Sequence, residues 1–383
     1  MQLSSKIREY INGHAKEAYD LLIELAQIPA PSNREDERAL FCCDWLKKQG
    51  AEGVYIDEVQ NVIYPIGCEG DVPVTVYMAH SDVVFSDTAP LPLTVSDGKI
   101  YCPGVGDDTA NVVALLMTAK YLAENTPPLV DGGVLLVVNS GEEGIGDLRG
   151  SREIMRRYGD RIREFVTFDG GPATITNRAV GSKKYRIEFD TEGGHSYNKF
   201  GNRNAIVYMA SLIGLLYSVK LPEVGKTTYN VGTISGGTAI NAIAQHAEML
   251  YEFRSYVPEN LPIMQRHLDA ALECFRAKGV KVTLTLIGDR PCGIPVDEGK
   301  HTALMDRGAE AIKNNFGFDV KFGSGSTDCN IPLSQGIPAV RIGCVIGKGA
   351  HTRDEYVEID SLVPGLGVAF EMILHHFNIE QSE

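Results

Sequence analysis

The chain lacks a long apolar run and any excess of basic residues. No hydrophobic stretch is long enough to cross a bilayer, and residues 1–6 lead into a polar helical pattern instead of an apolar signal region. The 36 Lys and Arg are outnumbered by 50 Asp and Glu, the formal net charge is −14, and no basic run occurs. Such a surface repels nucleic acid and anionic lipid headgroups. We therefore expect a cytoplasmic protein that binds neither nucleic acid nor membranes.

Cysteine is scarce for a chain of this length, and its spacing is irregular. The eight cysteines form no CxxC pair, which disfavours both a sulfur-ligated metal and a disulfide framework. We expect reduced, mostly buried thiols. The positions are Cys42, Cys43, Cys68, Cys102, Cys274, Cys292, Cys329 and Cys344.

Five side chains of the kind that bind metals stand at the ends of strand-like or glycine-rich segments. They are His80, Asp107, Glu143, Asp169 and His351. Imidazole nitrogen and carboxylate oxygen suit Zn²⁺ and related first-row ions, and two His with three carboxylates fit two ions. With Asp107 bridging, each ion takes one His and one terminal carboxylate, and a water is shared between ions roughly 3.5–4 Å apart. The pattern predicts one dinuclear metal site.

Two further carboxylates have roles that such a site requires. Asp82, two residues beyond His80, is placed to accept the remaining ring N–H and so to fix the orientation of the imidazole. Glu142, beside the ligand Glu143, is placed to take a proton from the attacking water and return it to the leaving amine. We therefore predict Glu142 as the general base.

Taken one at a time, these residues have simpler interpretations. A His after an apolar strand is commonly a hydrogen-bonded core residue, and the Glu142–Glu143 pair alone is typical of a solvated turn. The Asp107–Asp108 pair alone is typical of a helix cap, because apolar residues recur behind it at helical spacing. The cap and ligand roles are compatible. Only the joint placement of all five residues favours the metal site.

The first part of the chain predicts an α/β domain. The size of 383 residues, with 44% hydrophobic and 22% charged, indicates more than one core. Short apolar strands alternate with helical stretches, which is typical of a largely covered central sheet. The predicted strands are Val54–Ile56, Val62–Ile66, Val74–Met78, Gly133–Val138 and Phe165–Phe168, and the predicted helices are 5–27, 35–48, 108–124 and 147–158.

A second pattern occupies residues 181–290. Its strands and helices follow the order βαββαβ, which resembles a ferredoxin-like module. Because His351 lies beyond this segment, the chain must return to the first domain to complete the metal site. We therefore predict a discontinuous catalytic domain at 1–180 and 291–383, with an inserted α+β domain at 181–290.

Taken in order, these motifs resemble the M20 metallopeptidases and their relatives among aminoacylases, carnosinases, tripeptidases and succinyl-diaminopimelate desuccinylases. The resemblance covers nearly the whole chain. It implies a zinc-peptidase-like catalytic domain with an inserted lid or dimerisation domain. It also implies that His80 and Asp169 share one ion, and that Glu143 and His351 share the other. The two ions are expected to be zinc, with cobalt or manganese as alternatives.

The insert carries polar segments that resemble the lid motifs of this family. The likeness implies that His195 stabilises the oxyanion, often in the site of a partner subunit, and that Asn241 and Arg254 hold the substrate's carboxylate or amide. A His N–H suits an oxyanion and an Arg fork suits a carboxylate. The alternatives are a hydrogen-bonded turn for His195 and a surface ion pair for Arg254.

Ser326 and Thr327 belong to a Gly/Ser-rich loop, 323–328, that resembles a family segment lining the substrate pocket. An ordinary turn is the alternative for this loop.

These expectations converge on a dinuclear metal-dependent hydrolase that cleaves the amide bond of a di- or tripeptide in the manner of an aminopeptidase. One alternative is an N-acyl amino acid deacylase of the same family. A remote alternative is a catalytically silent peptide-binding homologue. A homodimer through the inserted domain is expected from the resemblance. Thr109–Asn111 departs from the Lys and Gly that many relatives have there, which leaves the substrate open.

Overall fold

The computed structural model describes residues 2–379, which form ten α-helices and eighteen strands. The helices are α1 (Ser5–Gly13), α2 (Ala15–Gln27), α3 (Asp36–Lys48), α4 (Ala110–Asn125), α5 (Arg149–Tyr158), α6 (Ala205–Leu216), α7 (Asn260–Arg276), α8 (Glu298–Phe316), α9 (Asn330–Ser334) and α10 (Leu362–Leu374). The strands are β1 (Tyr55–Ile56), β2 (Val62–Ile66), β3 (Val74–His80), β4 (Thr94–Ser96), β5 (Lys99–Tyr101), β6 (Gly133–Asn139), β7 (Ile162–Phe168), β8 (Thr174–Ala179), β9 (Gly181–Asp190), β10 (Gly194–His195), β11 (Thr227–Gly236), β12 (Ala242–Ile243), β13 (His246–Ser255), β14 (Lys281–Arg290), β15 (Lys321–Gly325), β16 (Ala339–Ile342), β17 (Gly347–Lys348) and β18 (Tyr356–Glu358).

The chain divides into two units, each with its own hydrophobic core. The first unit runs up to Arg178 and resumes at Ile294, and the second is Ala179–Gly293. The limits expected from the sequence were 180 and 290. The role of the second unit as a lid stays a prediction.

The first unit is built on an eight-stranded sheet in the order β1-β2-β6-β3-β7-β16-β8-β15. Its centre is parallel, since β3 pairs in parallel with β6 and β7, and β16 pairs in parallel with β7. Every residue of β3 and β6 is buried, as expected for parallel strands covered on both faces. Parallel strands end at the same edge of a sheet, and that edge collects the residues that follow β3, β6 and β7. The expected α/β class is therefore confirmed.

The second unit has a fully antiparallel sheet in the order β11-β13-β9-β14. Its helices α6 and α7 contribute Met209, Leu212, Leu268 and Leu272 to a core with the sheet. With two helices and this strand order, the unit has the ferredoxin-like arrangement expected from the sequence. Strand β11 lies at one edge of the sheet.

Two features of the first unit differ from the sequence-based expectation. The single helix expected at 5–27 is two helices, because Gly13 and His14 interrupt it: His14 leaves the helical region at φ −104° and ψ 8°, and its Nδ1 bonds the carbonyl of Tyr10 at 2.8 Å. Glycine weakens a helix interior through its backbone freedom. The sequence analysis also missed α10, whose buried residues pack against α4 and α8.

Within residues 2–379 no helix combines the length and apolar character needed to span a bilayer.

Candidate active site

All five predicted ligands lie in the first unit, one at the end of a strand and four in loops that follow or connect its strands. His80 is the last residue of β3, and Asp169 directly follows β7. Glu143 lies four residues beyond β6, and Asp107 lies in the turn before α4. His351 lies between β17 and β18. The parallel strands therefore deliver three of the five to one edge of the sheet, and two loops supply the others.

The carboxylate of Asp107 lies between the two imidazoles. Its Oδ1 is 3.1 Å from Nε2 of His80, and its Oδ2 is 3.1 Å from Nε2 of His351. The same His351 nitrogen is 2.8 Å from Oε1 of Glu143. Ligand atoms of His80, Asp107 and Glu143 all lie within 4.8 Å of one another. This is the arrangement expected if Asp107 bridges two cations.

Asp169 joins the site through His80 and a residue that the sequence analysis did not select. Ligand atoms of His80, Asp108 and Asp169 also lie within 4.8 Å of one another. Asp108 is fully buried and accepts a hydrogen bond from the backbone N–H of His80 at 3.0 Å. An Asp beside a ligand was interpreted as a helix cap, and nothing in its spacing distinguished it from one.

The carboxylates of the site raise the pKa values of the two candidate histidine ligands, His80 and His351. Hydrogen bonds to Asp107 and Glu143 raise the pKa of His351 to about 10. Burial lowers the pKa of His80, but the nearby charge of Asp108 and the hydrogen bonds to Asp107 and Asp82 outweigh burial and raise that pKa well above its usual value. The carboxylates thus favour cationic partners at the place where the donor set suits divalent metal ions. The residues present fit such ions.

Asp82 lies beside His80 as expected and has a second function. Nδ1 of His80 is 3.5 Å from Oδ1 of Asp82 and 3.1 Å from its backbone carbonyl. The buried carboxylate also accepts the backbone N–H groups of Glu142 and Glu143, both at 2.9 Å. Ser32 donates its hydroxyl to the same carboxylate at 2.7 Å. Asp82 therefore links the orientation of His80 to the position of the Glu142 loop.

Glu355 holds the loop of the bridging residue and was not predicted from the sequence. Its carboxylate accepts backbone N–H groups from Gly104, Gly106 and Asp107 at 2.7–2.8 Å. Burial raises the pKa of Glu355 to about 7. The sequence signal was slight: an acidic residue four positions after the ligand His351.

In the second unit the structure brings His195 and Asn241 together. β10 pairs with β12, and the backbone carbonyl of Asn241 accepts the N–H of Ser196 at 2.9 Å. Nδ1 of His195 accepts the backbone N–H of Tyr197 at 3.3 Å. An accepting Nδ1 leaves the proton of a neutral imidazole on Nε2, which makes that atom a donor. This ring is exposed.

Arg254 lies far from that pair within the second unit. It stands near the end of β13, eight residues beyond His246, whereas His195 and Asn241 lie near the beginning of that strand. At a rise of about 3.4 Å per residue, eight residues span about 27 Å. The guanidinium makes a two-point ion pair with Glu252, at 2.8 and 3.0 Å. This contact is the alternative that the sequence left open for Arg254.

The loop with Ser326 and Thr327 belongs to the first unit. Thr327 is buried, its N–H donates to Oδ1 of Asn330 at 2.9 Å, and its hydroxyl accepts the N–H of Cys329 at 3.3 Å. These contacts are typical of a turn that begins a helix, here α9. The next residue, Asp328, accepts a hydrogen bond from Asn139 at the end of β6 at 2.7 Å, and burial raises the pKa of Asp328 to about 6.

Comparisons with known proteins agree with this architecture. The chain is 24% identical over 370 residues to the Bacillus subtilis protein YqjE, a match that covers 91% of this chain and 95% of that protein. It is 26% identical to acetylornithine deacetylase of Myxococcus xanthus, covering 78% and 79% of the two chains. The crystal structure of a tripeptidase from Staphylococcus aureus has a TM-score of 0.74 at 24% identity, covering 94% and 97%.

A sequence model described as Peptidase family M20/M25/M40 matches residues 76–375. This range includes all five predicted ligands, Asp82 and Glu142. The resemblance drawn from the motifs is thereby confirmed. The chain belongs to Peptidase family M20/M25/M40 and is a hydrolase that acts on amide bonds.

Proposed function

We propose that this M20 hydrolase uses two divalent metal ions to cleave the amide bond of a di- or tripeptide, in the manner of an aminopeptidase. One observation carries the proposal: the two carboxylate oxygens of Asp107 face two different imidazoles, those of His80 and His351. We assign His80, Asp107 and Asp169 to one ion and Asp107, Glu143 and His351 to the other. Zinc is the proposed metal, with cobalt or manganese as alternatives.

The protein's own groups divide the remaining work. Glu142 is nearly buried beside the ligands, and Asp82 fixes its backbone, so its carboxylate can take the proton of the attacking water and return it to the leaving amine. His195 is assigned to donate its Nε2 proton to the developing oxyanion, which its accepting Nδ1 supports. The bound ions would supply Lewis acidity, polarising the carbonyl and lowering the pKa of water.

The proposed substrate is defined by the bond that is cleaved and by its free α-amino group. A peptidase and an N-acyl amino acid deacylase break the same bond and differ in whether the substrate has a free α-amino group. The names of related proteins include both kinds, a tripeptidase and an acetylornithine deacetylase. The deacylase is therefore the second candidate. A silent peptide-binding homologue is disfavoured because Glu142 and all five ligands are present.

We also propose that the active form is a homodimer through the second unit. His195 lies near the beginning of β13 and Arg254 near its end. The eight residues from His246 to Arg254 span about 27 Å at about 3.4 Å per residue, so one chain cannot bring both side chains to the same small substrate. A second copy resolves this by supplying one of them. The edge strand β11 and helix α6 expose apolar side chains, among them Ile234 and Val207, which suits association between copies.

The test is turnover of a panel of di- and tripeptides, N-acetyl and N-succinyl amino acids by metal-free protein reloaded with Zn²⁺, Co²⁺ or Mn²⁺. Hydrolysis of free-amine peptides alone supports the proposal, and hydrolysis of blocked substrates alone selects the deacylase. Glu142→Ala should keep its metals and lose about 10²–10⁴-fold in rate, as for removal of a general base. Two bound metals without turnover on any amide would support the silent homologue.

A further inference from the structure

The first turn of α3, taken here as residues 35–38 with the cap residue Glu35 included, has two oppositely charged side chains that are almost completely buried. Glu35 is 0% exposed and Arg38 is 1% exposed. A buried charge is costly unless its polar atoms are satisfied by hydrogen bonds. Asp36 and Glu37, between them in the sequence, are exposed. The partners of Glu35 and Arg38 therefore indicate what this helical turn holds.

One nitrogen of Arg38 joins two of the ligand segments. Its Nη1 donates to the carbonyl of Ser81 at 2.9 Å and to the hydroxyl of Thr109 at 3.1 Å. Ser81 follows the ligand His80, and Thr109 lies two residues beyond the bridging Asp107. The guanidinium thus fixes the distance between the end of β3 and the turn before α4.

The rest of the guanidinium is anchored to the preceding helix. Its Nε donates to the carbonyl of Ile28 at 2.7 Å, and its Nη2 donates to that of Ala26 at 3.4 Å. The four acceptors of Arg38 are three backbone carbonyls and one hydroxyl. Arg38 therefore makes these contacts as a rigid planar donor array, a geometry that the single ammonium of Lys cannot reproduce.

Glu35 holds a third segment of the site. Its Oε1 accepts the backbone N–H of Gly141 at 2.9 Å, directly before Glu142. Its Oε2 accepts from Nη2 of Arg149 at 2.9 Å, at the beginning of α5. The carboxylate therefore spans the Glu142 loop from one end to the helix that follows it.

We propose that the first turn of α3 is a positioning element for the metal site. Arg38 sets the spacing between the His80 and Asp107 segments, and Glu35 sets the position of the Glu142 loop. Their contacts with these segments are to backbone atoms, apart from the hydroxyl of Thr109 and the guanidinium of Arg149. Neither residue is assigned to touch a metal or the substrate. The inference rests on the proposed function for the ligand roles. Ligands must be held within about 0.5 Å of their working geometry, which requires supporting contacts of this kind.

Arg38→Lys tests the first half, because it keeps the charge and loses the planar fork. Arg34→Lys is the matched control, since Arg34 is exposed in the loop before the same helix. The readouts are Co²⁺ affinity by calorimetry and the visible absorption of the Co²⁺ protein, with circular dichroism to verify folding. We expect Co²⁺ binding weakened by about tenfold or more in Arg38→Lys, in the range for loss of supporting contacts, with a changed spectrum, and no change in the control.

Thr109→Val removes one acceptor of Arg38, together with the hydrogen bond of the same hydroxyl to the carbonyl of Gly104 at 2.6 Å. Wild-type Co²⁺ binding in this variant would therefore exclude the contact even if Arg38→Lys does not fold. Thr118→Val is its control, because Thr118 is buried like Thr109 but lies within α4, where its hydroxyl bonds the carbonyl of Ala114. Thr109→Val should weaken Co²⁺ binding, and where Arg38→Lys does fold the effects of the two substitutions should be less than additive. Wild-type Co²⁺ affinity and spectrum in the folded variants would overturn the role of Arg38.

Glu35→Gln tests the second half against Glu37→Gln, an exposed position on the same helix. We expect near-normal Co²⁺ affinity, faster hydrogen exchange at the amides of residues 141–149, and a lower kcat with little change in KM. Unchanged exchange would overturn the role of Glu35. The exchange and Co²⁺ measurements need no substrate, so a wild-type protein that binds metal but cleaves nothing would refute the proposed function separately.

Discussion

Nε2 of His351 lies 2.8 Å from Oε1 of Glu143, although 208 positions separate the two residues in the chain. The contact joins the loop after β6 to the loop between β17 and β18, near the carboxyl end of the chain. His351 adopts a left-handed φ of +65°, a conformation that costs a non-glycine residue of order 1–3 kcal/mol and persists only where surrounding contacts hold it. Its hydrogen bonds with Glu143 and Asp107 provide such contacts.

Substitution of the adjacent residues Glu142 and Glu143 by Gln should affect different properties, kcat for Glu142 and metal content for Glu143. Glu143→Gln removes a charged ligand, so we expect one of the two ions to be lost on dialysis. Glu142→Gln removes only the general base, so both ions should stay while kcat falls by about 10²–10⁴-fold. Metal analysis of the dialysed variants, together with kcat, checks this. Equal metal content in both variants would contradict the ligand role of Glu143.

The sequence predicted the residues whose chemistry is visible in their type and in the strand before them. His80 and Asp169 follow apolar strands, and a central parallel sheet collects such positions at one edge. Asp107, Glu143 and His351, each with a glycine within two residues, were selected as a set for the same chemistry. The fold class followed from the strand and helix order.

The supporting residues could not be predicted in this way because their partners are backbone atoms distant in the chain. Arg38 lies in the run Asp36-Glu37-Arg38, which in sequence is typical of a solvated helix face, and only the structure shows that it meets Ser81 and Thr109. Glu355 is similar, since three backbone N–H groups more than 240 positions away satisfy it. A sequence pattern gives the type and spacing of side chains. It does not show which backbone atoms, distant in the chain, a side chain will bond.

Two inactive variants should restore activity when mixed if His195 serves a partner's site. A chain with Glu142→Gln still has His195, and a chain with His195→Ala still has Glu142, so each mixed dimer contains one complete site. Random exchange of subunits in a two-fold dimer makes half of the dimers mixed, which should return about one quarter of wild-type activity. The measurement is the rate after dissociation and reassociation of an equimolar mixture. No recovery, in a protein shown by light scattering to be dimeric, would place His195 in its own chain's site.

The two interpretations of Arg254 predict different kinetics. If its guanidinium binds a substrate carboxylate, Arg254→Gln should raise KM about 10- to 100-fold, the usual value of a charge-assisted hydrogen bond, for peptides with a free carboxyl end. Amidated peptides should show little change. Glu252→Gln, which breaks the ion pair but keeps the guanidinium, is the control. Equal effects of the two variants on both substrates would assign Arg254 to the ion pair alone.

His376 should make the protein less stable in acid. It is buried with Nε2 2.9 Å from the hydroxyl of Tyr77, which donates to the carbonyl of Met372. Burial, together with the positive charge of Arg307, lowers the pKa of His376 to about 2 from 6.5. Below pH 6.5 the unfolded chain binds a proton at this position that the folded chain refuses. Stability is therefore complete above pH 6.5 and falls with decreasing pH, by up to about 1.4 kcal/mol per unit from this residue.

Urea unfolding of wild type and His376→Gln between pH 4.5 and 7.5 measures this effect. Gln keeps a donor for Tyr77 and cannot be protonated, so the variant should lose part of the acid sensitivity of the urea midpoint. His267→Gln is the matched control because His267 is only partly buried and makes its hydrogen bond at the surface, to the carbonyl of Leu215. If the midpoints of His376→Gln and wild type fall in parallel with decreasing pH, the folded chain accepts the proton at His376 and the burial argument is wrong. If the midpoint of His376→Gln alone depends less on pH, the surroundings of His376 hold it neutral, and its burial beside Tyr77 contributes to the loss of stability in acid.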